Sequence, residues 1–386
     1  MSEEKLNNEA QNAELEKINK VKESLKKIEN KDLKFIYTIP ETENPSASVY
    51  EVYFHATVAK KMGYNVIILT EKENYEKPKW IENELLDHEH VPMSNNKLNV
   101  GPEDIMIIPE VFSNVMEQTK NLPCMRVGLL QSVDYMLNAL VPGTDWSAFG
   151  IKNIITTSQT LKDFIETFYG KNKFNVSIYN PSIPNYFEKN DKPQKPVISV
   201  IGRNPNEISK FVKLFYSKYP QYSWVTFDPM LTKSKPAKSM RRKDFAERLK
   251  GNFAAVWIDR IASWGTFPLE CMKSGVIPVG LIPDITPEYL LERDENGEIS
   301  KMKENVGIWS NNFYDLPTFL GEALIKFLDD SIGDDLYKNM ENIALNYTPE
   351  KSEEQIVSVY NNLINERKKV FNSAIEPSKN NTEKNK

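Results

Sequence analysis

The sequence has 386 residues, a formal net charge of −5 at neutral pH and 40% hydrophobic residues. That length and apolar content support two ordinary domains with cores of their own and exclude a wholly disordered chain. The negative balance gives no global case for a nucleic-acid or acidic-membrane binder, and two cysteines, Cys124 and Cys271, make no disulfide framework.

No uninterrupted apolar stretch has the length of a membrane-spanning helix, and the charged N-terminus does not read as a signal peptide. A cytoplasmic setting is the expectation. Residues 1–32 are polar and rich in lysine and glutamate, with Ile18, Val21, Leu25 and Ile28 at three–four spacing. The pattern predicts a helix with one apolar seam, docked on the first domain or paired in a short coiled coil.

Residues 34–39 (KFIYTI) read as a first strand, residues 40–47 as a loop, and the stretch to about Met62 as a helix stopped by Gly63. Residues 65–70 form the second strand. His55 on that helix either reaches an acceptor or packs, and His88 and His90 lack the further ligands of a metal site. The next strands are residues 104–109 (DIMIIP) and 124–130 (CMRVGLL), with Gln131 to Tyr135 just past a carboxyl end. Asp134 is there a candidate acceptor contact or base, or the cap of a helix over 135–140. Residues 151–158 (IKNIITTS) predict a strand and a serine-capped helix, and the proline- and lysine-rich residues 190–196 predict a linker after a first domain spanning 33–189.

The second domain, 197–350, opens with the strand VISVIG (197–202), then Arg203 and a helix from about 206 to 218. After a strand at 223–228 comes a basic run: Lys233, Lys235, Lys238, Arg241, Arg242 and Lys243. It reads as a solvated loop and helix start, or as a grip on the phosphates of a nucleic-acid acceptor. Residues 254–258 and 276–282 are apolar runs separated by a helix-sized segment, with Thr266 as its expected N-cap, Pro268 in its first turn and Gly275 at its end. Such a unit buries both strands in a parallel sheet and aims loop 259–267 at the carboxyl edge, where open α/β sheets bind ligands and a helix N-terminus suits a phosphate. A helix over 316–328, a C-terminal helix over 351–372 returning to the first domain, and a disordered polar tail at 373–386 complete the expectation.

SWGTFPLECMKSGVIPVG, residues 263–280, resembles the donor-site signature Glu-Gly-Phe-Gly-x-x-x-Leu-Glu-Ala-Met-x-x-Gly-x-Pro-Val of the retaining, glycogen-synthase-like superfamily of GT-B glycosyltransferases. VAKKMGYNVIILT, residues 58–70, is similar to the first helix and second strand of its N-terminal domains, although ETENPSAS (41–48) replaces the usual glycine-rich first loop. The resemblance covers about residues 34–369. It implies an α/β protein of two Rossmann-like domains facing across a cleft. The implied activity moves a sugar from a nucleotide diphosphate sugar, UDP-sugar first, to an acceptor hydroxyl, with retention and without a metal or other cofactor.

Carried over residue by residue, the resemblance gives Glu270 the ribose hydroxyls and Arg203 the donor diphosphate, with Lys210 as the later lysine. Gly202, Ser263, Trp264, Gly265, Thr266 and Phe267 complete the donor loops, and Asp134 and His55 are the acceptor-side candidates. The first glutamate of the pattern falls on Ala262. A glycan or other hydroxyl compound is the implied acceptor. Some phage members modify hydroxymethylated DNA bases and also lack the first glutamate, which makes DNA the alternative. Ala262 motivates a third reading, a catalytically silent module that binds a sugar or a partner.

Overall fold

The computed structural model describes residues 33–42, 45–95, 98–190, 194–229, 240–261 and 264–375. The expected N-terminal helix of residues 1–32 therefore lies outside the described residues, as do Ala262, Ser263, Lys233, Lys235 and Lys238.

The first domain alternates strand and helix. Its elements are β1 (Lys34–Thr38), α1 (Ala47–Lys61), β2 (Asn65–Thr70), β3 (Glu89–Pro92), β4 (Ile105–Pro109), α2 (Ser113–Gln118), β5 (Met125–Leu130), α3 (Val133–Ala139), β6 (Asn153–Thr156), α4 (Gln159–Tyr169) and β7 (Asn175–Ile178). The seven strands form one parallel sheet in the order β3-β2-β1-β4-β5-β6-β7. Helices cover both faces, which is why strands such as Phe35, Ile36 and Tyr37 read as continuous apolar runs and are fully buried. The helix starts follow side-chain caps: Ser46 accepts from the Val49 N–H at 3.4 Å, and Ser158 from that of Leu161 at 3.2 Å.

The second domain contains β8 (Lys195–Gly202), α5 (Pro205–Lys218), β9 (Thr226–Pro229), α6 (Arg242–Leu249), β10 (Asn252–Ile258), α7 (Thr266–Lys273), β11 (Ile277–Leu281), β12 (Leu291–Arg293), β13 (Ile299–Met302), β14 (Ile308–Ser310), α8 (Leu316–Leu328) and α9 (Asp334–Ala344). Five strands pair in parallel in the order β14-β11-β10-β8-β9, and β12 and β13 make a separate antiparallel ribbon. β8 begins at Lys195, inside the stretch expected to be linker.

The last helix, α10 (Pro349–Ile375), crosses back onto the first domain, where Ile356, Val359, Tyr360, Leu363 and Ile364 join the core beneath α1. Its last three residues, 373–375, fall in the stretch expected to be a disordered tail, the rest of which lies outside the described residues. No described helix is long and apolar enough to cross a membrane.

Strand order reverses between β8 and β10 in the second sheet, the topological switch point at which ligands enter open α/β sheets. The carboxyl ends of β8 and β10 face those of β1 and β5 across the cleft. A polar clamp ties the domains at one side: Glu288 accepts from the Thr160 N–H (2.9 Å) and hydroxyl (2.6 Å), while Arg293 pairs with both Glu288 (2.6 Å) and Asp163 (2.8 Å).

Candidate active site

One cavity of about 710 Å³ fills the cleft. The second domain supplies Gly202 and Arg203 from the end of β8, Asp259 from the end of β10, and Trp264 to Phe267 with Glu270 from α7 and its entry loop. The first domain supplies Ser46 to Ser48 at the start of α1, Trp80, and Ser132 and Tyr135 after β5. Most of the residues the sequence singled out for a donor thus converge here: Gly202, Arg203, Trp264, Gly265, Thr266, Phe267 and Glu270.

Thr266 is the first residue of α7 rather than its cap, and Gly265 precedes it at φ +51°. A Cβ at Gly265 would lie 2.6 Å from Trp257 Cη2, so the chain turns there with bare backbone pressed on an indole. The Tyr289 hydroxyl donates to the Gly265 carbonyl at 2.9 Å and fixes that turn. The first turn of a helix leaves amide N–H groups without intrahelical acceptors, so this lip of the cavity favours an anion.

Arg203 adds a cation beside it. Its Nε donates to Asp259 Oδ2 at 2.7 Å, its Nη1 donates to the Tyr135 hydroxyl across the cleft, and its guanidinium carbon stands 5.4 Å from the Tyr135 ring centre. Asp134, at the start of α3, neighbours Tyr135 in the chain but is not itself among the residues that line the cavity. Burial, reinforced by Asp284, raises its pKa from the ordinary carboxylate value.

The reading of the whole basic run as solvated is corrected at Arg242. Arg241 stays outside on Asp244 at 3.0 Å, but Arg242 turns inward and is 8% exposed. Its Nη2 and Nε donate to Glu270 Oε1 at 2.6 and 3.2 Å, its guanidinium carbon lies 4.0 Å from the Tyr50 ring centre, and its backbone N–H bonds the Trp80 carbonyl at 3.1 Å. The physical reason is helical phase: Arg242, Ala246 and Leu249 share the buried face of α6. That apolar spacing was the signal available in the sequence.

Two candidates stand apart from the cavity. Lys210, on α5, donates to the Tyr314 hydroxyl at 2.5 Å and rests on that ring at 4.5 Å from its centre, lining a different, shallow depression. His55 is fully buried on the inner face of α1, its Nδ1 2.7 Å from the Tyr360 hydroxyl of α10, and burial lowers its pKa to about 3. His90 Nε2 lies 3.0 Å from the Tyr53 hydroxyl and His88 Nε2 lies 3.2 Å from Thr57 Oγ1; the described residues contain no cluster suited to a metal ion.

Comparison with solved structures gives the fold its class. The chain is similar to a sucrose-phosphate synthase from Thermosynechococcus elongatus, with TM-score 0.57 and 11% identity over 87% of this chain and 100% of that one. It is also similar to Anabaena HepE in complex with UDP-glucose, with TM-score 0.56 and 10% identity over 85% and 99%. A third match is an alpha-glucosyltransferase in complex with UDP and a 13-mer DNA containing an HMU base, with TM-score 0.52 and 10% identity over 86% and 100%. No family model matches the sequence, and no curated protein matches it. The chain has the GT-B fold, two Rossmann-like domains facing across a cleft, as the donor-loop resemblance implied.

Proposed function

We propose that the protein is a glycosyltransferase that moves a sugar from a nucleotide diphosphate sugar, a UDP-sugar first, to an acceptor hydroxyl in the cleft. The observation that carries this reading is the convergence of Arg203, the N-terminus of α7 and Glu270 on one cavity at the β8/β10 switch point. Cleaving the bond to the sugar leaves a nucleoside diphosphate, and the leaving charge develops on its phosphate oxygens. A guanidinium and a helix N-terminus already aimed at that place stabilise it without reorganising. Glu270 would take the ribose hydroxyls, and the motif resemblance supports retention. UDP as the nucleotude class is supported by the two UDP-containing structures of the same fold.

On the acceptor side, Asp134 is the proposed contact or base. It precedes Tyr135, which lines the cavity and accepts from Arg203, and burial raises its pKa from the ordinary carboxylate value. The default acceptor is a glycan or other hydroxyl compound. A hydroxymethylated DNA base is the second reading, favoured by the DNA-bound structure of the same fold and by the basic run preceding α6. A cytoplasmic setting belongs to the same proposal, supported by the free buried thiols of Cys124 and Cys271.

The test is release of UDP from UDP-sugars in the presence of acceptor panels that include oligosaccharides and hydroxymethylated duplex DNA. Acceptor-dependent release supports the reading and names the acceptor. Donor binding with no release across the panels would instead favour a silent binding module, the reading that Ala262 motivates.

A further inference from the structure

Glu270 is held from one side only. Arg242 places both of its bonds, from Nη2 and Nε, on Oε1, and no other hydrogen bond to the carboxylate is made among the described residues. Both side chains are 8% exposed, and Glu270 still lines the cavity. Arg242 Nη1 makes no hydrogen bond among the described residues, so the guanidinium is spent on a single oxygen. Two donors on Oε1 hold that oxygen in place, which sets the carboxylate's rotation about its Cγ–Cδ bond and leaves Oε2 as the acceptor that Arg242 does not use.

Arg242 is in turn held by the opposite domain. The Tyr50 ring of α1 covers the guanidinium at 4.0 Å, and the Trp80 carbonyl takes its backbone N–H at 3.1 Å. A cation desolvated against an aromatic face gains stability from that ring. The orientation of a carboxylate in the second domain thus depends on a ring in the first.

We propose that Arg242 is a positioning residue of the donor site: it grips Glu270 Oε1, turns Oε2 to the ribose of the nucleotide, and is itself held by Tyr50, so that ribose recognition is coupled to contact between the domains. The inference rests on the donor-site reading above and deepens it. A carboxylate held in one orientation discriminates a ribose from a deoxyribose, whereas a carboxylate free to rotate does so poorly.

The experiment is calorimetric titration of UDP and 2′-deoxy-UDP into the full-length protein and its Arg242→Met, Arg242→Lys and Tyr50→Leu variants, each checked by thermal unfolding. Wild type should prefer UDP by about ten-fold. Arg242→Met should lose most of that preference, to about two-fold, while its affinity for 2′-deoxy-UDP changes by less than about three-fold. Arg242→Lys keeps the charge without the fork and should fall between them; Tyr50→Leu, which leaves the ion pair in place, should lower the preference by about three-fold. If Arg242→Met does not fold, the other two variants decide. An unchanged preference in the folded variants overturns the proposal, as does a wild type that binds both nucleotides equally. A wild type that binds neither nucleotide refutes the donor site itself, a separate failure.

Discussion

Replacing Glu51 by Gln should remove one buried carboxyl's share of a pH dependence of stability that the wild type carries between pH 4.5 and about 8. Glu51 lies on α1, fully buried, with Oε1 accepting the Ser182 N–H at 3.0 Å and Oε2 without a hydrogen bond among the described residues. Burial raises its pKa from 4.5 to about 8, against the pull of the Ser182 N–H, Arg242 and Tyr179. The folded chain keeps this proton while the unfolded chain gives it up near 4.5. The stabilising contribution is therefore complete below that pH, declines by about 1.4 kcal/mol per pH unit as pH rises, and is lost once pH passes about 8. The total is about 5 kcal/mol, a large share of the roughly 5–15 kcal/mol of a typical domain.

Glutamine holds no titrating proton and can still accept the Ser182 N–H. Urea unfolding of wild type and Glu51→Gln from pH 4.5 to 8.5 should show similar stabilities at the acid end and a variant more stable by about 5 kcal/mol at the alkaline end. Glu110, buried and raised to about 8 in the same way, adds a term of the same sign to both proteins, so the difference between them isolates Glu51. A difference that stays constant with pH would refute the assignment.

Three further outcomes follow from the geometry. Gly265→Ala places a Cβ against Trp257 at positive φ and should cost about 2 kcal/mol of stability and at least about ten-fold in UDP affinity, read by chemical denaturation and calorimetry. Lys210→Ala removes a cation engaged with Tyr314 outside the cavity, so UDP affinity should stay within about two-fold in the same titration; a ten-fold loss would bring Lys210 back to the diphosphate. His55→Leu breaks the bond to Tyr360 and should cost about 1–3 kcal/mol of stability with nucleotide affinity unchanged; lost turnover at unchanged stability would place His55 in the chemistry.

The alternation of strands and helices was legible because each strand is an apolar run bounded by a cap or a glycine. Ser158 and Gly63 mark such boundaries, and the helix over 316–328 has the bounds expected of it. That the loop before α7 lies at the carboxyl edge and lines the cavity was legible from its residue types. The β12/β13 ribbon was not read, although Asn296-Gly297 is a turn signal and Gly297 has φ +82°. The side-chain partners that give the site its electrostatics come from distant parts of the chain. Tyr135 meets Arg203 across the cleft, and Tyr50 meets Arg242 from the other domain. Among the described cations of the basic run, Arg242 points inward, which charge alone hides until helical phase is weighed. Lys210 stands outside the cavity for the converse reason: its side chain on α5 turns to Tyr314, which sequence spacing does not show.

The central claim is that the cleft binds a nucleoside diphosphate through Arg203. Calorimetric titration of UDP, GDP and ADP into wild type and Arg203→Ala tests it most directly. The account predicts that UDP binds and that the substitution weakens it by about ten-fold or more, equivalent to about 1.4 kcal/mol. No binding of any of the three nucleotides to wild type, or equal UDP affinity in the variant, would contradict it.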